Sequence, residues 1–145
     1  MHRAVFDTVI FVRALLDSRS FSGRLVLKHI NDYRLFLAHP LIEEILEVLG
    51  RKEIIERFNL RNANYPKALA DLLKSMQNAE IVEISKIISV SRDPNDDKFL
   101  ATAKAANAHY LVSADLDLLD LKEYEGIKIV DAETFLHVLE TNKKL

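Results

Sequence analysis

Carboxylates stationed just beyond short apolar runs are the residues of this sequence best suited to chemistry. Asp7 ends the run RAVF (3–6), and Asp115 follows HYLVSA (109–114). Glu43 and Glu44 stand a few residues after RLFLA (34–38), while Asp96 and Asp97 open the helical stretch that precedes HYLVSA. Four separate segments thus carry acids to what can be a single end of a sheet. Clustered carboxylates repel one another and titrate upward. A hard divalent cation, Mg²⁺ or Mn²⁺, relieves that repulsion, because such ions prefer carboxylate and water oxygens. Held there, the ion would lower the pKa of a bound water and stabilise negative charge that develops beside it. Each acid alone has a plainer reading. An Asp after a strand often only caps a helix or turn, and Glu43 and Glu44 on an amphipathic helix suit solvent. Asp93 reads as a cap, and Asp117 and Asp120 as turn formers. His2, His29, His39, His109 and His137 show no paired metal-ligand spacing, and only His39 falls at the expected end of the sheet.

The elements that must position these acids alternate. RAVF is a short buried strand, followed by helices over 9–17 and 20–31, the second with Leu25, Val26 and Ile30 on one stripe. RLFLA is a second strand, closed by His39-Pro40, since a residue before proline disfavours helix. Pro40 suits the first turn of a helix that runs to about Gly50. RKEIIERFNL and YPKALADLLKSMQ supply two more helices, and AEIVEI (79–84) a third strand. Asp93-Pro94-Asn95-Asp96 marks a helix start, with Asp93 as cap, Pro94 at the first position and Asp96 at the positive end of the dipole. That helix ends near Asn107. HYLVSA is the fourth strand, IKIV (127–130) the fifth, and AETFLHVLE the last helix. Strands without a polar face, separated by helices, predict an α/β fold: a three-layer α/β/α sandwich around a parallel sheet of four to five strands. Ligands of such sheets bind beyond the carboxyl ends of the strands, where the strand order reverses.

With 145 residues, 49% hydrophobic and 29% charged, the chain reads as one globular domain spanning 1–145. No apolar run approaches the roughly 20 residues that span a membrane, and MHRAVFDTVIFV does not read as a signal peptide, because Asp7 and Arg13 interrupt it. The absence of cysteine rules out disulfides and thiolate metal sites and fits a cytoplasmic setting. A net charge of −2 runs against nucleic-acid binding, which usually draws on a basic excess. A bound polyanion must therefore meet a local basic patch or a metal. Arg13, Arg19, Arg24 and Lys28, around the first two helices, are the candidates to follow a phosphate backbone, although a solvated face explains any one of them.

Taken in order, VFDTVIFVRALL (5–16), HPLIEEILEVL (39–49), RDPNDDKFLATAKAANAHYLVSADLDLLDL (92–121) and YEGIKIVDAETFLHVL (124–139) resemble the PIN domain, and within it the toxin components of toxin–antitoxin systems. The most specific stretch is DPNDDKFLATA followed by HYLVSADLDLL; residues 51–78 contribute least. The resemblance implies a PIN-like fold, an acidic pocket for Mg²⁺ or Mn²⁺ and endoribonuclease activity leaving 5′-phosphate and 3′-hydroxyl ends. Its four acids fall on Asp7, Glu44, Asp97 and Asp115, with Ser113 as a supporting hydroxyl and Thr8, Asp96 and Asp117 as helpers. On a helical wheel Asp96 lies inside the Phe99–Leu100–Ala103 stripe and Asp97 at its edge, so Asp97 ranks first and Asp96 second. The resemblance also implies an RNA substrate, a homodimer and an antitoxin segment in an apolar groove near IEEILEVL and IIERF.

Two residues depart from the family pattern. Val9 stands where Asn usually follows Asp-Thr, and His39 where Ser or Thr precedes the proline. Losing an amide that orients a carboxylate or water commonly costs about 10–100-fold in metal affinity or activity. A catalytically weak or inactive PIN-like module that binds RNA or a protein therefore stays open as an alternative. A phospho-acceptor or phosphatase domain using Asp7 as nucleophile fits less well, because Asp7-Thr8-Val9 lacks the second acid such enzymes place there.

Overall fold

The computed structural model describes residues 1–59, 64–84 and 96–143. Its elements are β1 (Arg3–Phe6), α1 (Thr8–Leu16), α2 (Phe21–Gly23), β2 (Arg34–Leu37), α3 (His39–Leu49), α4 (Lys52–Asn59), α5 (Tyr65–Ser75), β3 (Glu80–Ile81), α6 (Asp97–Ala105), β4 (Tyr110–Val112), α7 (Leu116–Leu119), β5 (Glu123–Tyr124), β6 (Ile127–Val130) and α8 (Ala132–Lys143).

All five expected strands are present and pair in parallel, in the order β3-β2-β1-β4-β6. A sixth, β5, joins the edge antiparallel to β6. Only two residues long, it carries no periodicity that a sequence could betray. It is turned back by Glu125 and Gly126, both at positive φ (48° and 85°), the backbone a tight hairpin needs. The third strand shrinks from the expected 79–84 to Glu80–Ile81, with Val82 N–H still donating to Leu37 O.

Side chains alternate across the strands, and both faces are buried. Ala4, Phe6, Leu35, Leu37 and Val112 pack with Ile10, Phe11, Leu25, Ile45, Leu72 and Phe135 from the helices on one side. Val5, Phe36 and Leu111 pack with Leu41, Phe99, Leu100, Ala103 and Leu118 on the other. That is the predicted three-layer arrangement.

The second expected helix, 20–31, is broken up. Ser20 caps α2 by accepting from Gly23 N–H, and Arg24–Lys28 then winds as a π-helical stretch. The Tyr33 hydroxyl donates to Leu25 O at 2.8 Å, tying the widened turn to the core. A Cβ at Gly23 would stand 2.5 Å from Ser18 O, so the chain can fold back here only on a glycine.

The N-cap of α6 is Asp96, whose side chain makes no capping hydrogen bond. The expected cap Asp93, with Pro94 and Asn95, lies outside the described residues. Among the described residues no helix is long and apolar enough to cross a membrane.

Candidate functional site

Strand order reverses between β1 and β4. From β1 the chain builds outward to β2 and β3, then crosses to β4 and β6. Side chains just past the carboxyl ends of these two neighbours converge there, and Asp7 and Asp115 occupy those positions.

Asp7 is 3% exposed and caps α1 through Oδ1, which accepts from Ile10 N–H at 3.3 Å. Its Oδ2 accepts from Ala114 N–H at 3.1 Å and from the Ser113 hydroxyl. Burial pushes the Asp7 carboxyl above the usual carboxylate range and the nearby Asp115 adds to the rise, while the bonds from Ser113, Ala114 and Ile10 pull the other way. Asp115 caps α7, with Oδ1 accepting from Asp117 N–H at 2.7 Å, and its own N–H donates to Ser113 Oγ at 2.9 Å. Ser113, fully buried, thus links the two acids.

A cleft of about 420 Å³ opens over this point. Asp7, Asp96, Asp115, Glu44, Thr8 and Phe99 line it, with Val9, Val12, Val48, Arg51 and Arg57. One carboxylate oxygen each from Asp96, Asp115 and Asp117 lies within 4.8 Å of the others. The Oδ2 of Asp96 is buried and takes no hydrogen bond, although the residue interacts elsewhere. Three hard oxygen donors at this spacing, with Asp7 alongside, suit Mg²⁺ or Mn²⁺ and would leave room for water ligands.

Asp7, Glu44 and Asp115 therefore share one cleft, as the sequence reading required, and Thr8, Ser113 and Asp117 stand against or within the same cluster. For the third segment the structure differs from the first choice. Asp96, not Asp97, lines the cleft and joins the trio of oxygens; Asp97 is buried inside the first turn of α6. The cause is where the helix begins. Asp96 is the residue that precedes the first turn, and Asp97 is rotated from it by about 100° around the axis.

Glu44 is already engaged on both oxygens. Thr8 Oγ1 donates to Oε2, and Lys98 Nζ donates to Oε1 at 2.6 Å. Lys98 is the residue the sequence reading missed: its partner lies 54 positions away, so no local pattern marks it. Glu43 faces solvent and pairs with His39 at 3.1 Å. His39 is thereby placed on the surface and not in the cleft.

None of the basic residues first considered lines the cleft. Arg24 pairs with Glu140 at 3.1 Å, Arg19 borders a separate depression between α1 and α5, and Arg13 and Lys28 are exposed. The cations of the cleft wall are Arg51 and Arg57, from the stretch that carried least of the resemblance.

The family model described as the PIN domain matches residues 3–117. Among curated proteins, none matches the sequence. Of solved structures, PAE2754 from Pyrobaculum aerophilum aligns with a TM-score of 0.60 at 19% identity, covering 97% of this chain and 90% of that one. VapBC2 from Rickettsia felis, solved bound to a DNA fragment from its promoter, aligns with a TM-score of 0.56 at 12% identity, covering 88% and 96%.

Proposed function

Since this chain belongs to the PIN-domain family, we propose that it is a metal-dependent endoribonuclease acting as the toxin of a toxin–antitoxin pair. The observation that carries this reading is the convergence of Asp7, Asp96 and Asp115, from three separate segments, on a cleft that Glu44 also lines.

Asp96, Asp115 and Asp117 would hold a Mg²⁺ or Mn²⁺ ion, with Asp7 beside them. When bound, such an ion supplies Lewis-acid polarisation of a phosphodiester and a more acidic water. The chain's own residues prepare the place. Ser113 and Ala114 fix the Asp7 carboxylate, the Asp117 N–H fixes Asp115, and Thr8 and Lys98 hold Glu44. Phe99 and Val12 add apolar side chains to the cleft wall. This chemistry does not need a ribose 2′-hydroxyl, so the choice of RNA rests on the family resemblance.

The test is incubation of the purified protein with end-labelled single-stranded RNA and Mn²⁺, with and without chelator. Cleavage that requires Mn²⁺ and disappears in Asp7→Asn and Asp115→Asn is expected. Cleavage that survives both substitutions, or proceeds in chelator, removes the proposal.

A second reading, a non-catalytic module that binds RNA or a partner, is favoured by Val9. This side chain is 40% exposed and lines the cleft where the family pattern has an amide. Tight binding of RNA without cleavage at any Mn²⁺ concentration would select it.

An antitoxin and a second copy of the chain are the proposed partners, acting with it in the cytoplasm. VapBC2 gives a toxin–antitoxin precedent on a similar fold. Light scattering on the isolated protein tests the dimer, with a monomer at micromolar concentration counting against it.

A further inference from the structure

An acidic floor repels a phosphodiester, so the cleft needs fixed positive charge of its own to draw a polyanion in. Among the described residues two cations line it and a third, Lys98, bonds to its Glu44, and they differ in what they already hold. Lys98 is committed to Glu44 at 2.6 Å. Arg51 is committed to Glu47 in a two-pronged pair, Nε to Oε1 at 3.0 Å and Nη2 to Oε2 at 2.8 Å, which already satisfies the fork that would otherwise grip a phosphate. Arg57, in the last turn of α4, lines the cleft with its guanidinium exposed and is paired with no carboxylate among the described residues.

A guanidinium that lines the same cleft as four carboxylates and pairs with none among the described residues is available to an incoming anion, and its planar fork matches phosphate oxygens. Val9, Val12 and Val48 line the same cleft and give it an apolar surface beside its charged groups.

We propose that Arg57 is the substrate-phosphate residue of this cleft, binding a backbone phosphate of a single-stranded nucleic acid while the neighbouring linkage lies over the acids. The inference rests on the nuclease reading above and adds the position of the substrate to it.

The experiment measures binding without turnover: fluorescence anisotropy of a labelled oligouridylate in chelator, over a salt series. Arg57→Gln should weaken binding about threefold to tenfold and lower the slope of log K against log salt by roughly 0.7, the loss of one phosphate contact on a single strand. Arg57→Lys should restore the slope, and Arg51→Gln, whose charge is already paired, should change affinity by less than about twofold. Melting temperatures of the variants should match the parent, because the side chain is exposed. If the parent binds and Arg57→Gln binds equally well with an unchanged slope, the inference is wrong and the nuclease reading stands. If Arg51→Gln and not Arg57→Gln carries the loss, it is likewise overturned. If the parent binds no oligouridylate, the RNA reading itself falls and takes this inference with it.

Discussion

The two ends of the parallel sheet handle charge in opposite ways. At the amino ends of the strands, Arg34 at the start of β2 grips Glu80 at the start of β3 through two bonds of 2.6 Å. There the acid and the base of that pair meet directly. At the carboxyl ends, Asp7 and Asp115 are met by a serine hydroxyl and backbone N–H groups. Asp96, Asp115 and Asp117 crowd within 4.8 Å, and the ammonium of Lys98 is already taken by Glu44. One end carries a matched ion pair. The other gathers acids whose partners, among the described residues, are mostly hydroxyl and backbone donors.

The sharpest way to break this contrast is Asp115→Asn. It should reduce Mn²⁺-dependent cleavage by about a hundredfold or more, beyond the loss of an outer-shell partner, while raising the melting temperature of the ion-free protein. A lower melting temperature in chelator would show that the acids do not strain the fold. Next in size, Mn²⁺ at about a hundredfold over its dissociation constant should stabilise the parent by roughly 2.7 kcal/mol. Calorimetry of Asp115→Asn under the same conditions should show little of that gain.

The pH dependence sharpens the comparison further. Burial raises the Asp7 carboxyl, so the folded chain binds this proton more tightly than the unfolded one. Asp7 therefore makes stability fall as pH rises from the ordinary carboxylate range through the raised value, above which its penalty is complete. Asp7→Asn in chelator should flatten that segment of the stability profile, and an unchanged slope would remove Asp7 as its source.

Lys98→Met should cost about 1 kcal/mol, because it leaves a partly buried Glu44 without its cation; chemical denaturation would measure it, and a neutral result would make the pair incidental. The smallest effect belongs to the balanced end. Glu80→Gln should give a slight loss of melting temperature that vanishes in high salt.

Much of this was legible because the central strands are mostly apolar. RAVF and RLFLA announce themselves as strands buried on both faces, IKIV as one with Lys128 turned to solvent, and the acids that follow the first two are placed by the sheet. The Asp96–Asp97 choice was not legible, since it turned on one residue at a helix start where an angular reading shifts by about 100°. Nor were Lys98 and the arginines of the cleft wall, whose relation to the acids exists only once α3, α4 and α6 have docked. The π-helical stretch at Arg24–Lys28 eluded a periodicity built on 3.6 residues, because its Leu25 and Val26 still face inward. The hairpin edge β5 was too short to leave a pattern.

Phe6 and Val112 stand opposite one another on adjacent strands, and the Asp7 N–H donates to Val112 O at 3.0 Å. The backbone spacing beneath Asp7 and Asp115 is therefore set by the interstrand pitch of about 4.8 Å in the middle of the sheet. Surrounding helices can drift, exchange their basic residues or lose an amide at position 9 without respacing the two central aspartates. The separation of that pair thus belongs to the sheet, and the rest of the cleft wall belongs to the helices.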